Sequence, residues 1–110
     1  MQSAELIIAG LLVTASIERQ TGNLAQAMGY ATEALQRSQG IDLLACEMWS
    51  HTETGLILLA QHDCEAAIEH TTRAILLIPS AHQGWLRADQ VRQAHEQILH
   101  CMALRQCPEC

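Results

Sequence analysis

The sequence predicts an all-α fold made of two antiparallel helical hairpins and a closing helix. Apolar residues make up 49% of the 110 residues, but aromatic residues make up only 3% and Phe is absent, so the core must be built from Leu, Ile, Ala and Met. An Ala-rich core of this kind favours closely packed helices. A row of small side chains also occurs twice with an offset of 40 residues, at Ala27, Ala31 and Ala34 and again at Ala67, Thr71 and Ala74. A repeat of that length is typical of helical arrays.

The first helix is expected to run from Ser3 to about Gln20. The Ser3 side chain can accept a hydrogen bond from a free N–H of the first turn, and Glu5 suits the positive end of the helix dipole. Apolar residues cover well over half of the circumference, namely Leu6, Ile7, Ile8, Leu11, Leu12, Val13 and Ile17. A helix this apolar must pack against other elements on two sides. The sequence offers no preceding repeat for its outer face, so we expect a second copy or another protein there.

The second helix is expected to begin at the N-cap Asn23, to run to about Ser38, and to complete a hairpin over residues 3–38. Its apolar stripe is Leu24, Ala27, Met28, Ala31, Ala34 and Leu35. The short joint at Gly22 makes the two helices antiparallel. Gly40 is expected to end the helix in the left-handed conformation.

The second hairpin is expected over residues 42–78. Asp42 is the expected cap of its first helix, which ends near His62. Its second helix is capped by Asp63, runs from Cys64 to Ile78 and stops at a proline, Pro79.

Gly55 lies in the middle of the third predicted helix. Glycine there costs about 1 kcal/mol relative to alanine. We expect the close approach of a neighbouring helix as the reason for it.

The closing helix is expected over residues 80–105. Ser80 and Gln83 have the spacing of a capping box. One apolar face follows, formed by Trp85, Ala88, Val91, Ala94 or His95, Ile98 and Met102. The chain is thus expected to be a single domain of residues 1–105 with a flexible tail of residues 106–110.

The two hairpins resemble tetratricopeptide repeats. The second unit matches the family's pattern at Gly55, Leu58, Ala67, Thr71, Ala74 and Pro79, and the first unit matches it at Leu11, Ala15, Ala27, Ala31 and Ala34. The first unit lacks the proline, and Asp89 stands where a third unit needs a small residue. The offset of 40 resembles the longer variety of the repeat. Over roughly residues 8–95, the resemblance implies a right-handed stack of hairpins; the alternative is a five-helix bundle with accidental alanine spacing.

In that family, the first helix of each repeat lines a concave surface. The resemblance assigns to this surface Ala9, Leu12, Ser16, Arg19, Trp49, Thr52, Leu56, Leu59, Gln83, Leu86, Gln90 and Gln93. Five of them form an apolar track, namely Leu12, Trp49, Leu56, Leu59 and Leu86. A groove of this kind binds an apolar helix or peptide, which predicts an interaction module, adaptor or small chaperone. The alternative is a register error of one residue, which would make these residues ordinary core. The basic clamp that holds a heat-shock-protein tail is missing, so that ligand is not expected.

Charge and cysteine usage exclude several other classes. The net charge is −6, there is no Lys, and the six Arg are scattered, so nucleic-acid binding is not expected. The apolar run from Leu6 to Val13 is too short to cross a membrane. Five cysteines form no disulfide pattern and indicate a reducing compartment, most simply the cytoplasm. A homodimer or a small heterocomplex is expected, because about three repeats are needed for independent stability.

The C-terminal Cys and His residues permit a second hypothesis, a zinc-linked regulator. The candidate ligands are His100, Cys101, Cys107 and Cys110, and the last two form half of a tetrahedral zinc site. A tail with free thiols and a redox dithiol are the alternatives. The other pairs, Cys46 with His51 and Cys64 with His70, are expected on helix surfaces or as small core residues.

Catalysis is not expected. The sequence contains no Gly-rich phosphate loop and no Gly-x-Ser-x-Gly. Glu47 and His51 meet at a spacing of four residues, but an exposed ion pair explains this spacing. A third hypothesis is a detached segment of a larger regulator that acts in trans.

Overall fold

The structure, a computed structural model, describes residues 3–41, 44–78 and 88–105. These residues form five helices in chain order, α1 (Ala4–Gln20), α2 (Leu24–Ile41), α3 (Leu44–Ala60), α4 (Cys64–Leu77) and α5 (Ala88–Arg105). No strand occurs within these ranges, so the all-α prediction is confirmed. The predicted features at Asp42, Pro79, Ser80 and Gln83 and in the tail 106–110 lie outside the described residues.

The helices form a stack of antiparallel hairpins. Each helix packs against the next one in the chain, and α3 also packs against α1 and α5. This pattern places α1, α3 and α5 in one layer and α2 and α4 in the other. The smallest dimension of the molecule, 19 Å, equals about two helix diameters. The predicted hairpin stack is therefore present.

The caps of α1 and α4 are those expected from the sequence. The Ser3 hydroxyl oxygen accepts a hydrogen bond from the Leu6 N–H at 3.2 Å, and the Asp63 carboxylate accepts one from the Ala66 N–H at 3.3 Å. Each bond satisfies a backbone donor that the first turn of a helix leaves free.

The two hairpin turns repeat the same backbone geometry 40 residues apart. In the first turn, Gly22 has a φ of 90°, and the N–H of the next residue, Asn23, donates to the Glu18 carbonyl at 2.8 Å. In the second turn, His62 has a φ of 66°, and the Asp63 N–H donates to the Leu58 carbonyl at 2.9 Å. Glycine suits this left-handed position, whereas a histidine adopts it at a cost. The 40-residue offset is thus a structural repeat as well as a sequence repeat.

The prediction for Gly40 is wrong. Among the described residues, Gly22 is the glycine with positive φ, and α2 continues through Gly40 to Ile41. The last turns of α2 are held by packing: Ser38 is fully buried and its hydroxyl donates to the Ala34 carbonyl. Packing therefore overrides the local signal for a C-cap.

Small residues let the helices approach each other, as predicted. Ala27, Ala31, Ala34, Ala67 and Ala74 are all fully buried. Each of the three hydrophobic clusters among the described residues contains a residue of α3, with Cys46 in the first, Ile57 in the second and Met48 in the third. The central helix α3 thus joins the two hairpins.

Gly55 lies at a close contact between α3 and α4. A Cβ atom at Gly55 would lie 2.7 Å from Cγ2 of Thr71 and 3.2 Å from the carbonyl oxygen of Ala67. A real Cβ atom cannot come so close to another carbon atom without a displacement. The expectation that a neighbouring helix requires Gly55 is confirmed.

Candidate functional site

Two residues assigned to the concave surface are buried in the core. Leu12 is fully buried and packs with Ile8, Ala34 and Cys46. Thr52 is 5% exposed, and its hydroxyl donates to a carbonyl of its own helix. Neither side chain is available to a partner in this structure. Their burial fits the alternative of a register displaced by one residue, in which the assigned residues belong to the ordinary core.

The other assigned residues are more accessible. Trp49 is half-buried and packs against the cluster around Leu12. The remaining described members are Ala9, Ser16, Arg19, Leu56 and Leu59, which are half-buried, and Gln90 and Gln93, which are exposed. Gln83 and Leu86 lie outside the described residues. A role of these residues in a groove stays a prediction.

The middle of α3 is buried on all sides although it is polar. Every residue from Ser50 to Gly55 is buried. The three hydroxyl groups are satisfied within the helix, since Ser50, Thr52 and Thr54 each donate to the carbonyl four residues earlier. Such bonds allow hydroxyl side chains to be buried in a helix. Over this stretch α3 therefore presents no open face to a ligand.

Arg19 forms a partly buried ion pair with Glu53. The Nε atom of Arg19 donates to Oε2 of Glu53 at 2.6 Å, and the Glu53 side chain is only 5% exposed. The pair joins α1 to α3. The guanidinium group assigned to the concave surface is thus already engaged by a carboxylate of the same chain.

A pair of histidines joins α3 to α4. Nδ1 of His51 lies 3.0 Å from Nδ1 of His70, so one ring donates its N–H and the other accepts. Nε2 of His51 lies 3.7 Å from a carboxylate oxygen of Glu47. The Glu47–His51 pair is thus largely buried, and its description as an exposed ion pair was wrong.

Burial makes both imidazoles weak bases. Desolvation, together with the neighbouring His70 and Arg73, lowers the pKa of His51 to about 4. Desolvation and Arg73 also lower the pKa of His70, against the opposing effect of Glu69. Both rings are therefore neutral at pH 7 and act as a hydrogen-bonded link between helices.

A third polar contact joins α4 to α5. Oγ1 of the buried Thr71 lies 2.7 Å from Nδ1 of His95. Single-sequence reasoning missed all three contacts, because their partners are 34, 19 and 24 residues apart in the chain. Every buried side-chain N or O atom of the described residues has a hydrogen-bond partner. The polar interior is thus a structural network that links the helices.

Among the described residues, α1 exposes more large apolar side chains than any other helix. Leu6 is 66% exposed, Val13 50% and Ile17 53%. Gly10 lies between them, is also exposed, and has no atom within 4 Å of where its Cβ would be. We call Leu6, Gly10, Val13 and Ile17 the α1 seam. The outer face of α1 is thus exposed in the described part of the chain.

The α1 seam has the spacing of a helix-packing surface. Its residues follow each other at intervals of four, three and four, which places them on one side of the helix. The residues that flank this line are uncharged, namely Ile7, Ala9, Thr14 and Ser16. A cleft of about 260 Å³ opens beside the seam, lined by Ala4, Ile7, Ile8, Arg37 and Gly40. The surface therefore combines an apolar ridge with a groove toward α2.

The zinc hypothesis stays a prediction. His100 is exposed and Cys101 is half-buried, while Cys107 and Cys110 lie outside the described residues. Within the described ranges, no group of three or more His, Cys, Asp or Glu side chains is arranged to hold a metal ion.

Comparison of the chain with protein-family models, with curated proteins and with solved structures finds no match. In the described part of the chain, no helix combines the length and the apolar character needed to cross a membrane.

Proposed function

We propose that this protein is a protein–protein interaction module of the tetratricopeptide type, an adaptor or small chaperone that binds a partner's helix on the α1 seam. The α1 seam is the observation that carries the proposal. The repeated turn geometry at Gly22 and His62 supports the repeat, and the fully buried small residues support its packing.

Hydrophobic burial supplies the driving force. Full burial of a large aliphatic side chain contributes roughly 1.5–3 kcal/mol. Leu6, Val13 and Ile17 each keep half or more of their surface exposed. Covering all three would contribute a few kcal/mol, before the entropy cost of association.

The geometry favours a helix as the ligand. Residues at intervals of four and three pack into the grooves of a second helix at an interaxial distance of about 8–10 Å. Gly10 lies at the centre of the seam and permits the shorter distances in that range. In a longer stack, the helix of a preceding repeat would occupy this position.

The concave groove is the less favoured surface. Leu12 and Thr52 are buried, and Arg19 is paired with Glu53. The α1 seam needs no rearrangement of the domain to bind a partner. The free Cys46 and Cys101 support a reducing compartment such as the cytoplasm.

A photo-crosslinking amino acid at Val13, in protein expressed in cells, tests the proposal. We expect adducts heavier than the chain, with either a second copy or another protein. The matched control places the same group at Gln97, an exposed residue on α5. If Val13 gives no more adduct than Gln97, the α1 seam is not an interaction surface.

A further inference from the structure

We infer that the partner on the α1 seam is a second copy of this chain, with its α1 packed antiparallel across a two-fold axis near the middle of the seam. The inference rests on the proposed function and names its partner. Four properties of the described residues support it: complementary sizes along the seam, its lack of charge, the polar opposite end of the stack, and the available area.

The seam is complementary to itself when it is reversed. In an antiparallel pair, Leu6 of one copy faces Ile17 of the other, and Gly10 faces Val13. Each large residue thus meets another large one near the edge of the contact, and the glycine at the centre makes room for the valine. The spacing of four, three and four residues reads the same in both directions, so both ends of the antiparallel contact stay in register.

The charge distribution favours an identical partner. The chain carries a net charge of −6, so two copies repel each other wherever their acidic surfaces meet. The seam and its flanking residues carry no charge, and Arg37 in the cleft beside the seam is paired with Glu33. Two acidic molecules can therefore meet at this face. A basic partner would find no carboxylate on the seam to attract it.

The described residues at the other end of the stack favour a closed dimer over an open chain of molecules. Among the described side chains of α5, Asp89, Arg92, Glu96 and Gln97 are exposed, and Leu99 is the exposed large apolar residue. Head-to-tail stacking would place the apolar seam of one copy on this polar helix. Pairing of seam with seam buries apolar surface on both sides and closes after two copies.

The available area predicts a weak dimer. The 17 residues of α1 span about 25 Å, and the stack is 19 Å thick. The end of the stack therefore offers roughly 500 Å² per copy, or about 1,000 Å² in total, the lower limit for a specific interface. We expect a dissociation constant in the micromolar range, so the dimer exchanges with monomer.

The exposed glycines of α1 and α2 provide a matched pair of variants. Gly10 and Gly29 both lie in helix interiors, are exposed, and have no atom within 4 Å of their Cβ positions. Replacement of either one by arginine improves helix propensity by a similar amount. Gly10→Arg places a long charged side chain at the centre of the seam, whereas Gly29→Arg places the same side chain on α2.

Sedimentation velocity from about 5 µM to about 500 µM measures the association. We expect a reversible monomer–dimer equilibrium for the wild type and for Gly29→Arg. Gly10→Arg should weaken the dimer at least tenfold and Val13→Asp should do the same, while circular dichroism shows full helicity in all variants.

The inference is overturned if the wild type stays monomeric over the whole range, if Gly10→Arg dimerises like the wild type, or if Gly29→Arg dissociates equally. If the wild type is monomeric but Val13 still crosslinks to another protein, the inference of a second copy is refuted and the proposed function is retained. A monomeric wild type without such crosslinks would remove both.

Discussion

Replacement of Gly55 by alanine is the sharpest test of the contact between α3 and α4. Elsewhere in a helix interior this change gains about 1 kcal/mol from helix propensity. At Gly55 the new methyl group would lie 2.7 Å from Cγ2 of Thr71 and 3.2 Å from the Ala67 carbonyl oxygen. We therefore expect Gly55→Ala to destabilise the protein rather than to stabilise it.

The size of the effect follows from how firmly Thr71 is held. Thr71 is fully buried, its hydroxyl donates to a backbone carbonyl, and Oγ1 lies 2.7 Å from Nδ1 of His95. Rotation of the side chain would break these contacts, so the two helices must move apart. Overpacking of this kind costs roughly 1–3 kcal/mol. After the gain in propensity, Gly55→Ala should destabilise the protein by about 1 kcal/mol net.

Urea denaturation followed by circular dichroism measures this difference. Gly29→Ala is the matched control, because nothing lies within 4 Å of its Cβ position, and it should stabilise by about 1 kcal/mol. Thr71→Ser removes Cγ2 but keeps the hydroxyl, so it should restore most of the loss when combined with Gly55→Ala. If Gly55→Ala stabilises the protein as much as Gly29→Ala does, the assigned helix contact is incorrect.

Three further predictions concern the polar interior and a buried thiol. Arg19→Ala leaves the buried Glu53 carboxylate unpaired and should lower the free energy of unfolding by about 3–5 kcal/mol in the same urea titration. The control Arg37→Ala breaks an exposed ion pair and should lower it by less than about 1 kcal/mol. The pKa of His51 is about 4 in the folded protein and about 6.5 in the unfolded chain, so the unfolded chain binds the proton more tightly. The stability that comes from burying the neutral His51 ring should be fully present above pH 6.5. The free energy of unfolding should fall by about 3 kcal/mol between about pH 6.5 and about pH 4. Thermal melts of His51→Gln over the same pH range should show a smaller fall. Burial and Glu5 raise the pKa of Cys46 to about 11. The Cys46 thiol should therefore resist thiol reagents at pH 8 until the protein unfolds. Rapid labelling of this residue, measured by mass spectrometry, would contradict its placement in the core.

Local signals in the sequence predicted the helices well. Ser3 and Asp63 cap the helices they precede, and Gly55 marks a close contact, because each of these effects depends on a few neighbouring atoms. The small residues predicted the packing because only they allow helices to approach so closely. Gly40 failed as a signal, since tertiary packing of Ser38 extends α2 past it.

The polar interior could not be predicted in the same way. Glu53 and His51 have the composition of a solvated helix face, and their partners lie on other helices far away in the chain. Periodicity also fails to distinguish the two sides of α1. Leu12 faces the core and Val13 faces outward, yet both are large and apolar. A single sequence shows that such a helix must pack against other elements on two sides. Only the fold shows which of the two sides is already packed within the domain.

The buried polar residues of α3 also restrict how the stack can move. In a purely apolar layer, the slide of a helix by one turn costs only the repacking of the neighbouring side chains. A one-turn slide of α3 would separate Glu53 from Arg19 and His51 from His70 at the same time. The position of α3 relative to α1 and α4 is therefore fixed by these contacts. A molecule that docks on the stack must supply the adjustment itself.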